Sequence, residues 1–183
     1  MAKIETFASL DPATGIEVGR YPNTSSLEVF KIVADAKSAA KSWETLGFAK
    51  RKKILLKWAA LLTKEIDVGA LLIKSETGKP IGDARLELTL AISQIAWAAK
   101  SAGRILATQS RPAGILMFNM SAKVERSPYG VVGVIGPWNY PAFTPMGSIA
   151  YALAAGNTVV FKPSEYTPGV GTWLSKTFDK VAP

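Results

Sequence analysis

The sequence contains no cysteine and no histidine among its 183 residues. The first absence excludes disulfides and thiolate nucleophiles. The two together exclude Ser-His relays and zinc sites built from Cys and His, and no metal site is expected. Gly-x-Ser-x-Gly, a Walker-type phosphate loop and Gly-x-Gly-x-x-Gly are missing as well. Chemistry carried by these residues alone must run on Lys, Glu, Asp, Ser, Tyr or Asn. No apolar run approaches the roughly 20 residues that a membrane span needs, so no membrane partner is expected. The opening Met-Ala-Lys-Ile-Glu carries no hydrophobic leader core, and with no cysteine the expected location is the cytoplasm.

Nearly half of the chain (48%) is hydrophobic and 20% is charged, which predicts an ordered core rather than disorder. The net charge of +8 raises the question of a nucleic-acid partner. The cations are densest at Lys50-Arg51-Lys52-Lys53 and Lys57, and Ile54, Leu55, Trp58, Leu61 and Leu62 follow at helical spacing. That pattern reads as the polar face of an amphipathic helix. No base-reading or stacking signature stands beside the charge, so nucleic acid is not an expected partner.

Taken in order, the chain opens with a hairpin over about residues 5–20, turning at Asp11-Pro12-Ala13-Thr14-Gly15. Ser25 and Glu28 form a capping box, and Val29, Ile32, Val33, Ala36, Ala39, Ala40 and Trp43 give the helix after it one apolar face. Further helices are expected over about 48–63, 65–75 and 81–103. The third stops at Gly78 with Pro80 beyond it. Leu86, Leu90, Ile95, Ala98 and Ala99 are the expected buried stripe of the fourth. Residues 109–127 read as a two-stranded ribbon, with 115–118 as one strand, Asn119-Met120 as the turn and 121–126 as the return. Such a ribbon either recruits a partner through its open edges or lies on its own domain.

Residues 129–165 carry the strongest signal. Two β-branched runs, 131–135 and 158–161, are each bounded by Gly or Pro, as strands buried on both faces are. The small-residue segment between them is helical in composition, so the unit is strand, helix, parallel strand. Chemistry in such units lies just past the carboxyl ends of the strands. Those places hold Trp138-Asn139 and Lys162-Pro163-Ser164-Glu165. Asn139 is either a turn residue bonding its own backbone or an amide donor to an oxyanion. Lys162 and Glu165 are either a surface ion pair or a donor and acceptor for a nucleotide ribose. Pro137 and Trp138 offer a flat apolar wall. Thr167 is the expected N-cap and Pro168 the first residue of a helix over about 168–180, with Val170, Trp173, Leu174 and Phe178 facing the core. A third parallel strand should follow that helix, so the domain reads as interrupted.

The paired motifs Pro-Trp-Asn-Tyr-Pro and Lys-Pro-Ser-Glu, about twenty residues apart, resemble those of the NAD(P)-dependent aldehyde dehydrogenase superfamily. Glu76-Thr77-Gly78-Lys79-Pro80 and Asp11-Pro12-Ala13-Thr14-Gly15 are similar to the family in order and spacing. The resemblance implies an α/β fold: an incomplete Rossmann-like parallel sheet with flanking helices, an N-terminal helical region and a protruding ribbon. It divides the chain into 1–110, the N-terminal strands and helices; 111–127, the ribbon by which subunits pair into a homo-oligomer; and 128–183, the first unit of the nucleotide-binding sheet. It implies NAD or NADP as cofactor and an aldehyde as substrate, oxidised to a carboxylic acid. Asn139 would donate its side-chain amide to the thiohemiacetal oxyanion. Ile135, Gly136, Pro137 and Trp138 would line the cofactor cleft. Lys162 and Glu165 would meet the adenosine ribose, and Ser164 would lie near its 2′ position. The family's nucleophilic cysteine, general-base glutamate and Gly-rich turn would lie beyond residue 183, so this chain alone is expected to be inactive. The alternative is a non-catalytic dinucleotide-binding or subunit-pairing module.

Overall fold

The computed structural model describes residues 5–182. Strands β1 (Thr6–Leu10) and β2 (Glu17–Pro22) form the expected antiparallel hairpin. Its turn is held by Asp11, whose Oδ1 accepts from the amides of Ala13 and Thr14 at 2.8 and 3.1 Å. The capping box at Ser25 and Glu28 opens α1 (Ser26–Thr45). Helices α2 (Gly47–Lys64), α3 (Ile66–Thr77) and α4 (Ile81–Ile105) follow. Helix α3 ends where Gly78 takes the left-handed conformation, φ 72°, which a side chain would oppose.

The core forms where α4 packs against α2, α3 and α5 (Phe143–Ala155). Leu55, Trp58, Leu62, Ile73, Leu88, Ile95 and Met146 are fully buried there. The buried stripe of α4 is rotated from the expected one. Ala84, Glu87, Leu88, Ala91, Ile95, Ala98 and Ala99 face inward, while Leu86 and Leu90 are exposed. A carboxylate on the inner face was the misleading feature; Glu87 has a partner far along the chain. Arg51 departs from its expected solvent face in the same way. It is only 3% exposed, and its guanidinium bonds the carbonyls of Trp43, Glu44 and Ala154. Helix α1 packs mainly through Trp43, whose indole donates to the Leu153 carbonyl at 2.9 Å. Val29, Ile32 and Val33 on its apolar face stay exposed.

The ribbon also differs. Its strands are β3 (Gln109–Arg111) and β4 (Ala122–Val124), paired antiparallel from Gln109↔Val124 to Arg111↔Ala122. Residues Ile115–Met117 form a single 3-10 turn instead of a strand. Gly114, at φ 98°, redirects the chain, and short-range bonds from Met117 to Gly114 and from Met120 to Met117 engage amides that a ladder would have used. Ile115, Leu116 and Phe118 are consequently about nine-tenths exposed.

Strands β5 (Val131–Ile135) and β6 (Thr158–Lys162) pair in parallel, with α5 between them in sequence. Bonds from Thr158 N to Gly130 O and from Gly136 N to Lys162 O extend the ladder at both ends. Helix α6 (Pro168–Asp179) buries Val170, Trp173 and Leu174, as expected. Its contact with the bundle includes a bond from the Trp58 indole to Thr177 Oγ1 at 3.0 Å. Among the described residues, no helix is long and apolar enough to cross a membrane.

Candidate functional site

Register places the two strand ends level. Ile135 of β5 pairs with Lys162 of β6, so the loops after them open on the same edge of the sheet. Each loop runs into a helix, and each helix begins on a carboxylate from elsewhere. At α5, Glu87 Oε1 accepts from the amides of Ala142 and Phe143 at 2.9 and 3.2 Å. At α6, Glu76 accepts from Gly169 and Val170 at 2.8 and 3.0 Å, and from the Ser9 hydroxyl at 2.8 Å. These are orphan amides of helix first turns, normally met by a local cap. Thr167 does not serve as the side-chain cap of α6: its Oγ1 is buried without a partner among the described residues, and Glu76 takes that role. Burial raises the Glu76 carboxyl above its ordinary range, against the opposing pull of its hydrogen bonds from Val170, Gly169 and Ser9.

Both capping glutamates lie near one corner of the molecule, the turn joining α3 to α4. Lys79 of that turn completes the arrangement, with its Nζ 2.5 Å from Glu87 Oε2. Neither carboxylate was found as a cap from the sequence, because each sits within a helix and its amide partners lie 55 or more residues away. The only signal available was the Glu-Thr-Gly-Lys-Pro motif. One chemical consequence is immediate. A helix N-terminus ordinarily attracts phosphate, but at α5 and α6 an incoming phosphate would meet a carboxylate already seated.

The mouth itself is built as follows. Gly136 passes against the Phe161 ring, where an added Cβ would come within 2.9 Å. Pro137 is half-buried, while the apolar side chains of Ile135 and Trp138 are 80% and 56% exposed. Asn139 is exposed, and its Oδ1 accepts from the Tyr140 amide at 3.0 Å. Its Nδ2 has no acceptor among the described residues. The turn and the donor readings therefore coexist in one side chain: the oxygen closes the turn and the nitrogen remains available. On the other side, Lys162 Nζ lies 3.3 Å from Glu165 Oε2, and both side chains are 62% exposed. Glu165 is held below the usual carboxylate range by its own backbone amide first and then by Lys162. Ser164 is buried, and its Oγ accepts from the Tyr166 amide at 3.3 Å. A vicinal diol needs a donor and an acceptor side by side, and Lys162 and Glu165 offer both, with the exposed Ile135 paired to Lys162 across the sheet. The residues present thus suit the ribose end of a dinucleotide.

Residues 1–182 match the model of the aldehyde dehydrogenase family. The chain belongs to that family. It is 42% identical over 167 residues to an N-succinylglutamate 5-semialdehyde dehydrogenase of Burkholderia ambifaria, covering 90% of this chain and 33% of the relative. The Novosphingobium aromaticivorans protein of the same name is 36% identical over 186 residues, covering 99% of this chain and 37% of the relative. Among solved structures, a succinate-semialdehyde dehydrogenase from Burkholderia pseudomallei superposes with a TM-score of 0.93 at 32% identity, covering 98% of this chain and 36% of that one. An NADP-dependent glyceraldehyde-3-phosphate dehydrogenase from Bacillus halodurans, complexed with NADP, gives 0.90 at 32% identity, with coverage of 98% and 38%. The chain spans about a third of the length of the curated relatives it matches.

Proposed function

We propose that this chain supplies one wall of the active site of an NAD(P)+-dependent aldehyde dehydrogenase that oxidises an aldehyde to a carboxylic acid. The observation that carries the reading is the Asn139 amide. Its oxygen is tied to Tyr140 and its nitrogen is left as a donor, on the sheet edge where Lys162 and Glu165 stand exposed. Asn139 would donate to a substrate carbonyl oxygen as negative charge develops there, a contribution of roughly 3 kcal/mol for a well-placed donor. Lys162 would donate to, and Glu165 accept from, the cofactor ribose hydroxyls. Ile135, Gly136, Pro137 and Trp138 would bound the cleft and exclude water. Ser164, near the 2′ position by resemblance, would act through the loop it stiffens, since its hydroxyl is engaged with Tyr166. The nicotinamide, when bound, supplies the hydride acceptor. The nucleophile and the general base would come from parts of the enzyme outside these residues, so the isolated chain is not expected to oxidise aldehydes.

Calorimetric titration of the purified chain with NAD+ and NADP+ tests the binding half. Weak binding is expected, because the pyrophosphate finds no free helix N-terminus at α5 or α6. Lys162→Ala should abolish it. No heat with either nucleotide up to millimolar concentration would sink the reading.

A second role, pairing of subunits, is favoured by the ribbon. Ile115, Leu116 and Phe118 at its tip are exposed in a cluster that isolated chains rarely leave to water. Light scattering should give an oligomer for the wild type and a smaller species for Leu116→Asp with Phe118→Asp. Equal masses would remove the ribbon from the interface.

A further inference from the structure

Lys79 has no place in the reading above, yet its ammonium is the most constrained cation near the mouth. It is 14% exposed. It lies 2.5 Å from Glu87 Oε2, donates to the backbone carbonyl of Asn139 at 2.8 Å, and stands 3.9 Å from the centroid of the Tyr140 ring. All three contacts bear on one loop, since the other oxygen of Glu87 holds the amides of Ala142 and Phe143.

The peptide group joining Asn139 to Tyr140 is held at both ends. Its oxygen accepts from Lys79, and its N–H donates to the Oδ1 of Asn139 itself. A peptide group is planar, so fixing the direction of its oxygen fixes the direction of its N–H. The N–H in turn fixes Oδ1, and Oδ1 fixes where Nδ2 points. The carboxylate behind the ammonium holds it in place, and the Tyr140 ring covers it from the side. We propose that Lys79 is the positioning residue for Asn139, setting the aim of its side-chain amide through the Asn139–Tyr140 peptide plane. Its value for catalysis rests on the oxyanion role proposed for Asn139; the positioning does not.

Nuclear magnetic resonance on this chain tests it, reading the Tyr140 amide and the Asn139 side-chain NH2 in wild type, Lys79→Met and Lys79→Gln. Leu62→Ala, a core change in α2, serves as a control for lost stability alone. With Lys79→Met the Tyr140 amide should exchange with solvent about tenfold faster, and the Asn139 NH2 pair should move to the shifts of a freely rotating amide. Lys79→Gln keeps a neutral donor and should fall between; it carries the comparison if Lys79→Met does not fold. Leu62→Ala should leave both signals in place. Tyr140 exchange within twofold of wild type in a folded Lys79 variant would overturn the proposal. So would equal loosening by Leu62→Ala at matched stability. The oxyanion reading fails separately: Asn139→Ala would then leave aldehyde oxidation intact in a protein joining this segment to its nucleophile, whatever the spectra report.

Discussion

The Nε of Arg51 lies 3.2 Å from the carbonyl oxygen of Ala154, linking α2 to the last turn of α5 across 103 residues. The same guanidinium reaches the carbonyls of Trp43 and Glu44 near the end of α1, at 3.3 and 2.8 Å. One buried cation thus satisfies orphan carbonyls of two helices and complements the negative ends of both. Arg51→Met should destabilise the chain by about 2–4 kcal/mol, because the carbonyls lose a charged donor they cannot replace with water. Arg51→Lys should recover only part of this, as an ammonium does not span three acceptors in a planar fork. Urea titration checks both through a lower midpoint with an unchanged slope.

Glu76 gives the stability a pH dependence of defined sign. Burial raises its folded-state pKa above the ordinary carboxylate value of 4.5. The folded state therefore holds the proton to higher pH than the unfolded state does. The stability tied to that proton is complete below the unfolded pKa and is lost as pH rises through the folded one. Glu76→Gln removes this dependence, whatever it does to the overall stability. Unfolding curves from pH 4 to pH 7 should show wild type losing stability relative to the variant. Parallel profiles would show that the hydrogen bonds from Val170, Gly169 and Ser9 fully offset the desolvation, and a wild type that gains stability relative to the variant would show that they outweigh it.

Two glycine substitutions should act in opposite directions. A Cβ at Gly171 would lie 2.4 Å from Cβ of Pro163, a ring locked into the loop between Lys162 and Ser164. Gly171→Ala should cost about 1–3 kcal/mol and displace that loop, weakening nucleotide binding at the same time. A Cβ at Gly82, in the first turn of α4, meets nothing within 4 Å among the described residues. Gly82→Ala should stabilise the chain by about 0.5–1 kcal/mol, mostly by restricting the unfolded state. Thermal melting of the pair checks the contrast.

Cofactor preference should turn on Glu165. Its carboxylate is exposed, ionised at neutral pH and adjacent to Lys162. A free ribose diol can donate to it, whereas a 2′-phosphate is repelled. Glu165→Gln should move the NADP+ to NAD+ affinity ratio about fivefold toward NADP+, the scale of one like-charge contact in water. Raised salt should shrink the difference. An unchanged ratio in calorimetry would take Glu165 away from the ribose.

What the sequence revealed, and what it concealed, divides along a physical line. Local chemistry was legible: the Ser25/Glu28 capping box, the Gly78 stop, Pro168 opening α6, and the two β-branched runs of the parallel pair. Interactions closed by distant partners were not. Glu87 reads as a polar break in an apolar helix until the amides of Ala142 and Phe143 are found beside it, and Leu86 and Leu90 then look like the inner stripe. Arg51 sits in a run of cations whose other members are solvated, and only the ends of α1 and α5 explain its burial. The ribbon failed for a different reason. Ile115 to Phe118 has the composition of a strand, but Gly114 and two short-range hydrogen bonds commit it to a turn. At the mouth, the place of Asn139 in the turn just past β5 was legible, whereas the anchor on its carbonyl, Lys79, lies 60 residues earlier.

The carboxylates under α5 and α6 flank a single Gly-Lys-Pro corner, so the two banks of the crevice stand on one foundation. A tilt of the α3–α4 hairpin should therefore carry both. The amides of Ala142, Phe143, Gly169 and Val170 should accordingly open as one cooperative unit in native-state hydrogen exchange, with a common free energy, while those of the hairpin at residues 6–22 follow their own.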